Sequence, residues 1–238
     1  MGKNVLIIGA SGDIGKHIAI NLGEAGHQLI LHYNQNDAAI EEIKSLLPDE
    51  TILSVIQADL QTTKHIQVFI KQVVFSVDAI VFACGNAHYS LFQDTSEQTM
   101  DTLIQLHIKA PWLICQAFLP EMIERRSGHI IMITSVWGEV GASYEVAYSS
   151  VKGAQISFIK ALAKEVGSSH VLVNGVSPGW IDTKMNDLSK EEREKLKMEI
   201  PLQRPGSPND VSDLVHFLLS DKANYIHGQI IRVDGGWQ

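Results

Sequence analysis

A tyrosine and a lysine four positions apart are the residues of this sequence best suited to chemistry. Tyr148 and Lys152 stand at the front of a segment with helical apolar periodicity, so their side chains share one helix face. A tyrosine hydroxyl has an ordinary pKa of about 10, and a neighbouring ammonium lowers that pKa by favouring the phenolate. The pair therefore predicts a phenol tuned as a general acid. The plain alternative is a solvated helix face.

A serine thirteen residues before Tyr148 favours the chemical interpretation. Ser135 ends the apolar run 129–134, which is typical of a buried strand of a parallel sheet. Because α/β proteins place their chemistry at strand ends, Ser135 is expected to reach the same cleft as the tyrosine.

A glycine-rich turn near the N-terminus indicates a nucleotide site. The apolar strand 5–8 is followed by glycines at positions 9, 12 and 15 and then by a helical pattern. The free backbone N–H groups and the helix N-terminus of such a turn bind phosphate. Its place directly after the first strand makes the nucleotide interpretation strong.

These motifs together resemble the short-chain dehydrogenase/reductase family, over the whole chain. The resemblance implies one α/β domain, residues 1–238, with a Rossmann-like, doubly wound fold of about seven parallel strands and helices on both faces. By the same resemblance, Tyr148 protonates a carbonyl oxygen and Ser135 hydrogen-bonds that oxygen. Lys152 holds the cofactor ribose and lowers the pKa of the tyrosine, and a reduced nicotinamide supplies hydride to the carbonyl carbon.

The resemblance also implies the cofactor contacts. No acidic residue ends the predicted strand 28–33 before Asp37, and a carboxylate there would repel the 2′-phosphate of NADP, so NADP(H) is favoured over NAD. His32, Asn34 and Ser11 are candidate phosphate contacts, and Asp13, in place of a family glycine, is expected to cap the first helix. The residues expected to contact the cofactor are Gly9, Ser11, Gly12, Asp13, Ile14, Gly15, His32, Asn34, Asp59, Leu60, Ala83, Gly85, Tyr148, Lys152, Pro178, Gly179, Ile181 and Thr183.

Two departures from the family pattern leave alternatives open. The family's N-N-A-G is replaced by residues 82–85, with Asn86 as a shifted candidate for the lost asparagine. His107 stands where the family often has an active-site asparagine; it is either catalytic, joining a proton relay from Lys152 through water, or a packed core histidine. An idle nucleotide-binding scaffold is conceivable, but the intact Ser135, Tyr148 and Lys152 argue against it.

Two substrates are compatible with the sequence. The strand ends and C-terminal pattern resemble 3-oxoacyl-[acyl-carrier-protein] reductases. Segments 32–34, 105–107, 137–139 and 141–146 are similar to family members that reduce a 5-aminopentanone group on a modified lysine of elongation factor P. Trp137, Glu139, Tyr144 and Glu145 are the predicted substrate contacts, because carboxylates and aromatic rings attract a cationic amine. Solvated loop residues are the alternative for both glutamates.

Composition sets the remaining expectations. The 19 basic and 27 acidic residues give a net charge of −8, which argues against nucleic acid or an anionic membrane and weakens docking to an acidic carrier. Two cysteines predict no disulfides and a cytoplasmic location. We expect no signal peptide, membrane span or metal site, since the sequence has none of their patterns. Residues 184–204 are predicted to form a lid, and a homotetramer is expected by resemblance.

Overall fold

The computed structural model describes residues 2–184 and 189–238, in which strands and helices alternate along the chain. The strands are β1 (Asn4–Ile8), β2 (Gln28–Tyr33), β3 (Ile52–Gln57), β4 (Ala79–Phe82), β5 (Gly128–Ile133), β6 (Val171–Pro178) and β7 (Ile230–Val233). The helices are α1 (Asp13–Glu24), α2 (Asp37–Leu46), α3 (Thr63–Gln72), α4 (Glu97–Ile104), α5 (Ala110–Arg125), α6 (Trp137–Val140), α7 (Val146–Val166), α8 (Lys190–Glu199) and α9 (Pro208–Leu219).

These seven strands form one parallel sheet in the order β3-β2-β1-β4-β5-β6-β7. Parallel neighbours need crossover connections, which explains the alternation with helices. The chain first moves outward from β1 to β3 and then returns to place β4 on the other side of β1. The strand order therefore reverses between β1 and β4, and ligands of such sheets bind beyond the carboxyl ends of the strands at this point.

Helices cover both faces of the sheet and bury its side chains in two apolar layers. One layer includes Ile18 of α1, Ile43 of α2 and Val215 of α9. The other includes Phe69 of α3 and Ile159 of α7. Because both faces are covered, a central strand such as β5 is buried at every position and reads as an unbroken apolar run.

The predicted fold class is confirmed, and several element bounds agree closely with the structure. The predicted strand 28–33 is β2, with the same first and last residues, and the predicted strand 5–8 is β1, which begins one residue earlier. The sixth strand extends to Pro178. This extension carries the backbone of β6 to the edge of the sheet where the predicted site lies.

The segment predicted as a lid, 184–204, includes α8, which begins after a capping box formed by Ser189 and Glu192. Residues 185–188 of this segment lie outside the described residues. Its far end is anchored to the domain, because Ile200 is buried and Arg204 forms a salt bridge with Asp210 of α9. Closure of the segment over a substrate stays a prediction.

The described residues lack two features that would indicate a membrane or a metal. Within 2–184 and 189–238, no helix combines the length and apolar character needed to cross a membrane. In the same residues, no three His, Cys, Asp or Glu side chains group as they would around a metal ion.

A buried asparagine joins the last strand to the sheet. Asn174 of β6 is only 2% exposed. Its amide nitrogen donates a hydrogen bond to the Ile226 carbonyl oxygen at 2.8 Å, and its side-chain oxygen accepts one from the Gln229 N–H at 3.0 Å. One side chain thus satisfies two backbone groups of the connection that leads into β7.

Replacing Asn174 with alanine should lower the free energy of unfolding by about 2–4 kcal/mol, because two backbone groups lose their partners. Urea unfolding followed by circular dichroism measures this change. The matched control is Asn224→Ala at an exposed position, which should shift stability by less than about 0.5 kcal/mol. Equal stability of both variants would mean that Asn174 does not anchor β7.

Candidate active site

Ser135, Tyr148 and Lys152 meet beyond the carboxyl end of β5. Ser135 follows that strand, and the other two residues occupy the first two turns of α7. The Ser135 and Tyr148 side chains are hydrogen-bonded. The Lys152 ammonium donates a hydrogen bond to the Ile133 carbonyl oxygen at 2.9 Å and lies 5.6 Å from the centroid of the Tyr148 ring. The three groups therefore face one small volume.

Burial dominates the protonation of this group. Desolvation, followed by the nearby Glu145 carboxylate, raises the pKa of Tyr148, while the hydrogen bond with Ser135 lowers it. Burial also lowers the pKa of Lys152 to about 8. The prediction that Lys152 holds the tyrosine pKa below its usual range is wrong for the protein alone, because desolvation of the phenolate is the largest effect and raises that pKa.

The turn after β1 packs its backbone too closely for side chains at two positions. Gly9 has a φ of 89°, and a Cβ there would lie 2.7 Å from the Cα of Cys84. A Cβ at Gly15 would lie 2.1 Å from the Gly9 carbonyl oxygen. Gly12, the residue before α1, is open on its side-chain face, where a Cβ would meet only the Gly9 oxygen at 3.6 Å. The helix N-terminus is thus left accessible to an anion.

Asp13 has a different role from the one predicted. It is the first residue of α1, and its carboxylate accepts a hydrogen bond from the Lys184 N–H at 2.7 Å. The expectation that Asp13 caps the helix is therefore wrong. Its carboxylate instead links the start of α1 to the segment that follows β6.

His32 supports the glycine turn from behind. Its imidazole is 3% exposed; Nδ1 accepts a hydrogen bond from the Gly9 N–H at 3.2 Å, and Nε2 donates one to the Ala58 carbonyl oxygen at 3.0 Å. Because both nitrogens are used, the predicted contact of His32 with a cofactor phosphate is wrong. Burial lowers the pKa of His32 to about 4, which keeps the ring neutral as its acceptor role at Nδ1 requires.

Asn36, rather than Asn34, lies at the cleft. The Asn36 side chain accepts a hydrogen bond from the Ala39 N–H at 3.2 Å, capping α2, and donates one to the Ser11 carbonyl oxygen at 3.1 Å. Asn34 is exposed and outside the cleft lining, so its predicted phosphate contact is not supported by its position. The N-cap pattern before α2 was the sequence signal for Asn36.

Asp59 and Leu60, the predicted adenine contacts, also lie outside the cleft lining. The Asp59 carboxylate accepts a hydrogen bond from the Gln61 N–H at 2.9 Å, and Leu60 is buried in the apolar layer beside α3. Contact of either residue with an adenine ring stays a prediction.

A cleft of about 380 Å³ runs from the glycine turn to Tyr148. Predicted site residues that line it are Ser11, Gly12, Asp13, Ile14, Ala83, Gly85, Ser135, Trp137, Glu145, Tyr148, Lys152, Pro178, Gly179, Ile181 and Thr183. Lining residues that sequence reasoning did not assign are Asn36, Cys84, Asn86, Ala87, Tyr89, Ile133, Thr134 and Lys184, although Asn86 was noted as a shifted motif residue. Tyr89 gave no signal, since it lies in an irregular loop after β4.

Two of the four predicted substrate residues, Trp137 and Glu145, line the cleft. Glu145 is 7% exposed, and the Trp137 indole N–H donates a hydrogen bond to its carboxylate. Burial raises the pKa of Glu145 to about 7. Trp137 also packs edge-on against Trp237, with ring centroids 5.0 Å apart.

The other two predicted substrate residues lie elsewhere. The Glu139 carboxylate accepts a hydrogen bond from the Ser177 hydroxyl at 2.7 Å and forms a salt bridge with Arg232 at 3.0 Å, so its predicted substrate contact is wrong. Tyr144 is 56% exposed, and its carbonyl oxygen accepts a hydrogen bond from the Ser90 N–H at 2.8 Å. A substrate contact by Tyr144 stays a prediction.

His107 lies behind Tyr148 and outside the cleft lining. It is fully buried, and its ring packs edge-on against the Tyr148 ring with centroids 5.7 Å apart. The predicted catalytic role of His107, through a relay from Lys152, is therefore not supported by direct access to the cleft.

Comparison with known proteins bears on the family. A family model described as "Enoyl-(Acyl carrier protein) reductase" matches residues 9–238. The chain is 43% identical over 240 residues to the uncharacterized oxidoreductase YmfI of Bacillus subtilis, covering 100% of this chain and 99% of that protein. It is 37% identical to the 3-oxoacyl-[acyl-carrier-protein] reductase FabG of Staphylococcus aureus, covering 99% and 98% of the two chains.

A solved structure from Brucella melitensis is titled a short-chain dehydrogenase/reductase of the glucose/ribitol dehydrogenase type. It superimposes with a TM-score of 0.89 at 26% identity, covering 99% of this chain and 96% of that one. The chain belongs to the short-chain dehydrogenase/reductase family. It is therefore an oxidoreductase, and its family binds NAD(P)H.

The cleft of this short-chain dehydrogenase/reductase fits a nicotinamide dinucleotide. At one end, the open face of Gly12 and the N-terminus of α1 suit a pyrophosphate. At the other end, the buried Lys152 ammonium offers donors for ribose hydroxyls beside Tyr148. Backbone groups near Ile181 and the Thr183 hydroxyl line the same cleft and would hold the carboxamide side.

The role of His32 is testable with a ring that lacks nitrogen. His32→Phe keeps the aromatic contact with Phe69 but removes both hydrogen bonds, so the glycine turn loses its support. We expect about a tenfold rise in the Kd for NADPH and a loss of about 2–4 kcal/mol in stability. Fluorescence titration and urea unfolding measure the two effects.

The matched control is His65→Phe on the exposed face of α3, which should change neither quantity. Unaltered NADPH affinity in His32→Phe would show that the turn holds its shape without the imidazole.

Proposed function

We propose that this oxidoreductase uses NADPH to reduce a ketone to a secondary alcohol, and that the ketone is the 5-aminopentanone group on a modified lysine of elongation factor P. The support comes from the residues of the cleft and from the sequence segments that resemble reductases of that substrate. We also propose a homotetramer, by analogy with the family.

The chemistry follows from the positions of three side chains. The bound nicotinamide would supply a hydride to the carbonyl carbon. Tyr148 gives its phenolic proton to the carbonyl oxygen, so that one C–H and one O–H bond form as the C=O π bond is lost. Ser135, hydrogen-bonded to the Tyr148 side chain, orients the same oxygen. The Lys152 ammonium stabilises the phenolate that remains until it is protonated again.

An unpaired, buried carboxylate carries the substrate assignment. Among the residues that the structure describes, Glu145 has no salt-bridge partner, although it lines the cleft beside Tyr148. Burying an ionised carboxylate without a cation is costly, which is why its pKa rises to about 7. A substrate ammonium would supply the missing charge. The amine of the modified lysine is such a group.

The aromatic walls beside Glu145 support the same assignment. Trp137 and Tyr89 line the cleft with the carboxylate, and aromatic faces attract cations. A fatty acyl chain would gain apolar contact from these rings but would offer Glu145 no cation and would favour its protonated form. Glu139 forms its own salt bridge with Arg232 and so does not offer its charge to the substrate.

The proposed preference for NADPH rests on the end of β2. The residues after Tyr33 are Asn34, Gln35 and Asn36, none of which carries a charge to repel a 2′-phosphate. Asp37 follows, and its carboxylate is engaged by a hydrogen bond with the Tyr33 hydroxyl. Asn36, at the cleft, is the side chain best placed to meet the ribose.

A second candidate is reduction of 3-oxoacyl groups on acyl carrier protein. Relatives that carry this name, such as those of Staphylococcus aureus and Aquifex aeolicus, match 99% of the chain at 37% and 35% identity. The net charge of −8 weakens docking to an acidic carrier protein.

A paired assay decides between the two substrates. Purified protein is given elongation factor P bearing the 5-aminopentanone group and, separately, a 3-oxoacyl carrier protein, each with NADPH and with NADH. We expect kcat/KM for the factor to exceed that for the carrier by at least about 100-fold, with NADPH preferred. Tyr148→Phe is the inactive control. A preference for the carrier would support the second candidate, and turnover of neither would refute both.

Two glutamates provide a matched pair of variants. Glu145→Gln should lower kcat/KM for the ammonium-bearing ketone about 10- to 100-fold relative to a neutral ketone of similar length, because the ion pair is lost. Glu139→Gln removes a carboxylate outside the cleft and should leave that ratio unchanged. Steady-state kinetics on both ketones gives the ratios. An unchanged ratio in Glu145→Gln would remove the argument from charge.

A further inference from the structure

His107 lies in an irregular part of the helical layer. Residues Gln105–Lys109 form a π-helical segment between α4 and α5, and such segments are frequent at functional sites. The segment places a fully buried imidazole directly behind Gly85 and Tyr148, which line the cleft. A polar ring at such a position needs an explanation, because burial without partners is costly.

Three neighbours hold the His107 ring. Its Nε2 lies 3.3 Å from the Asn86 carbonyl oxygen, to which it donates. Its Cε1 edge presses against Gly85, where a Cβ would lie only 2.5 Å from that atom. Its edge meets the ring of Tyr148 at an interplanar angle of 86°, an arrangement that aromatic rings favour. The imidazole thus connects the loop after β4 with the reacting tyrosine.

The same ring is poorly placed to carry protons. Burial, and then the charge of Lys152, lowers the pKa of His107 to about 3, so the imidazole is neutral at neutral pH. Its Nδ1 has no hydrogen-bond partner within the described part of the chain. Its backbone carbonyl oxygen, in contrast, already accepts a hydrogen bond from the Gln155 side-chain amide at 2.8 Å. None of these groups faces the cleft.

We propose that His107 is a positioning residue: its ring backs the Tyr148 ring and the Gly85–Asn86 loop and thereby fixes the phenolic oxygen beside Ser135. The inference rests on the proposed ketone reduction at Tyr148 and adds a residue that touches neither substrate nor nicotinamide. A phenol displaced by about 1 Å loses about 100-fold in rate, so a ring that prevents this displacement matters to turnover.

Two variants separate packing from proton transfer. His107→Ala removes the ring, and we expect kcat to fall about 100-fold while KM and the Kd for NADPH change less than about twofold. His107→Phe restores the ring without nitrogen and should recover kcat to within about fivefold, with an unchanged pH profile of kcat. Circular dichroism and thermal unfolding show that both variants are folded.

A readout independent of turnover uses protein labelled with 13C at tyrosine rings, with the Tyr148 signal assigned from Tyr148→Phe. In His107→Ala the Tyr148 resonance should shift and the Tyr148 ring should flip faster than in the wild-type protein. In His107→Phe the flip rate of the Tyr148 ring should match that of the wild-type protein. An unmoved Tyr148 signal in His107→Ala would overturn the inference. Loss of activity in His107→Phe equal to that in His107→Ala, with a changed pH profile, would also overturn it. If wild-type protein reduces no ketone while the resonance behaves as described, only the proposed function fails.

Discussion

The buried ammonium of Lys152 constrains the geometry of the whole site. Its side chain is 3% exposed, and burial lowers its pKa to about 8. A buried ammonium must find acceptors for its protons, and the Ile133 carbonyl at the end of β5 supplies one. Because that carbonyl belongs to a central strand and Lys152 to the second turn of α7, their hydrogen bond joins the first turns of the helix to the sheet.

Tyr148 shares the cleft with two buried groups of opposite charge. Desolvation raises the pKa of Glu145 to about 7 and lowers that of Lys152 to about 8, so the same physical effect disfavours the charged form of both groups. A ligand that offers hydroxyl acceptors to Lys152 and a cation to Glu145 would reverse both shifts. The free protein therefore carries a cost of burial that cofactor and substrate would offset together.

The fold was predicted from the resemblance to a known family, and its strands and covering helices leave apolar patterns that agree with it. The apolar runs and the spacing of Tyr148 and Lys152 follow strand and helix periodicity, and the glycine turn is recognised by its place after the first strand. Predictions for individual polar side chains failed, because the position of a residue along the chain does not show whether its side chain lines the cleft or bonds to another part of the fold. Asn36 faces the cleft where Asn34 does not, and Glu145 faces it where Glu139 does not.

The buried histidines carry a consequence for behaviour in acid. His32 and His107 have pKa values near 4 and 3 in the folded chain, whereas an unfolded histidine titrates near 6.5. Between pH 6.5 and its folded-state pKa, each ring binds a proton in the unfolded state but not in the folded state. Each unit by which the pH falls in that window therefore lowers the free energy of unfolding by about 1.4 kcal/mol per ring. One ring supports the glycine turn and the other backs the tyrosine. Acidification would therefore destabilise both supports of the site, and His129 near the start of β5, whose pKa burial lowers to about 4, would add to the same loss of stability.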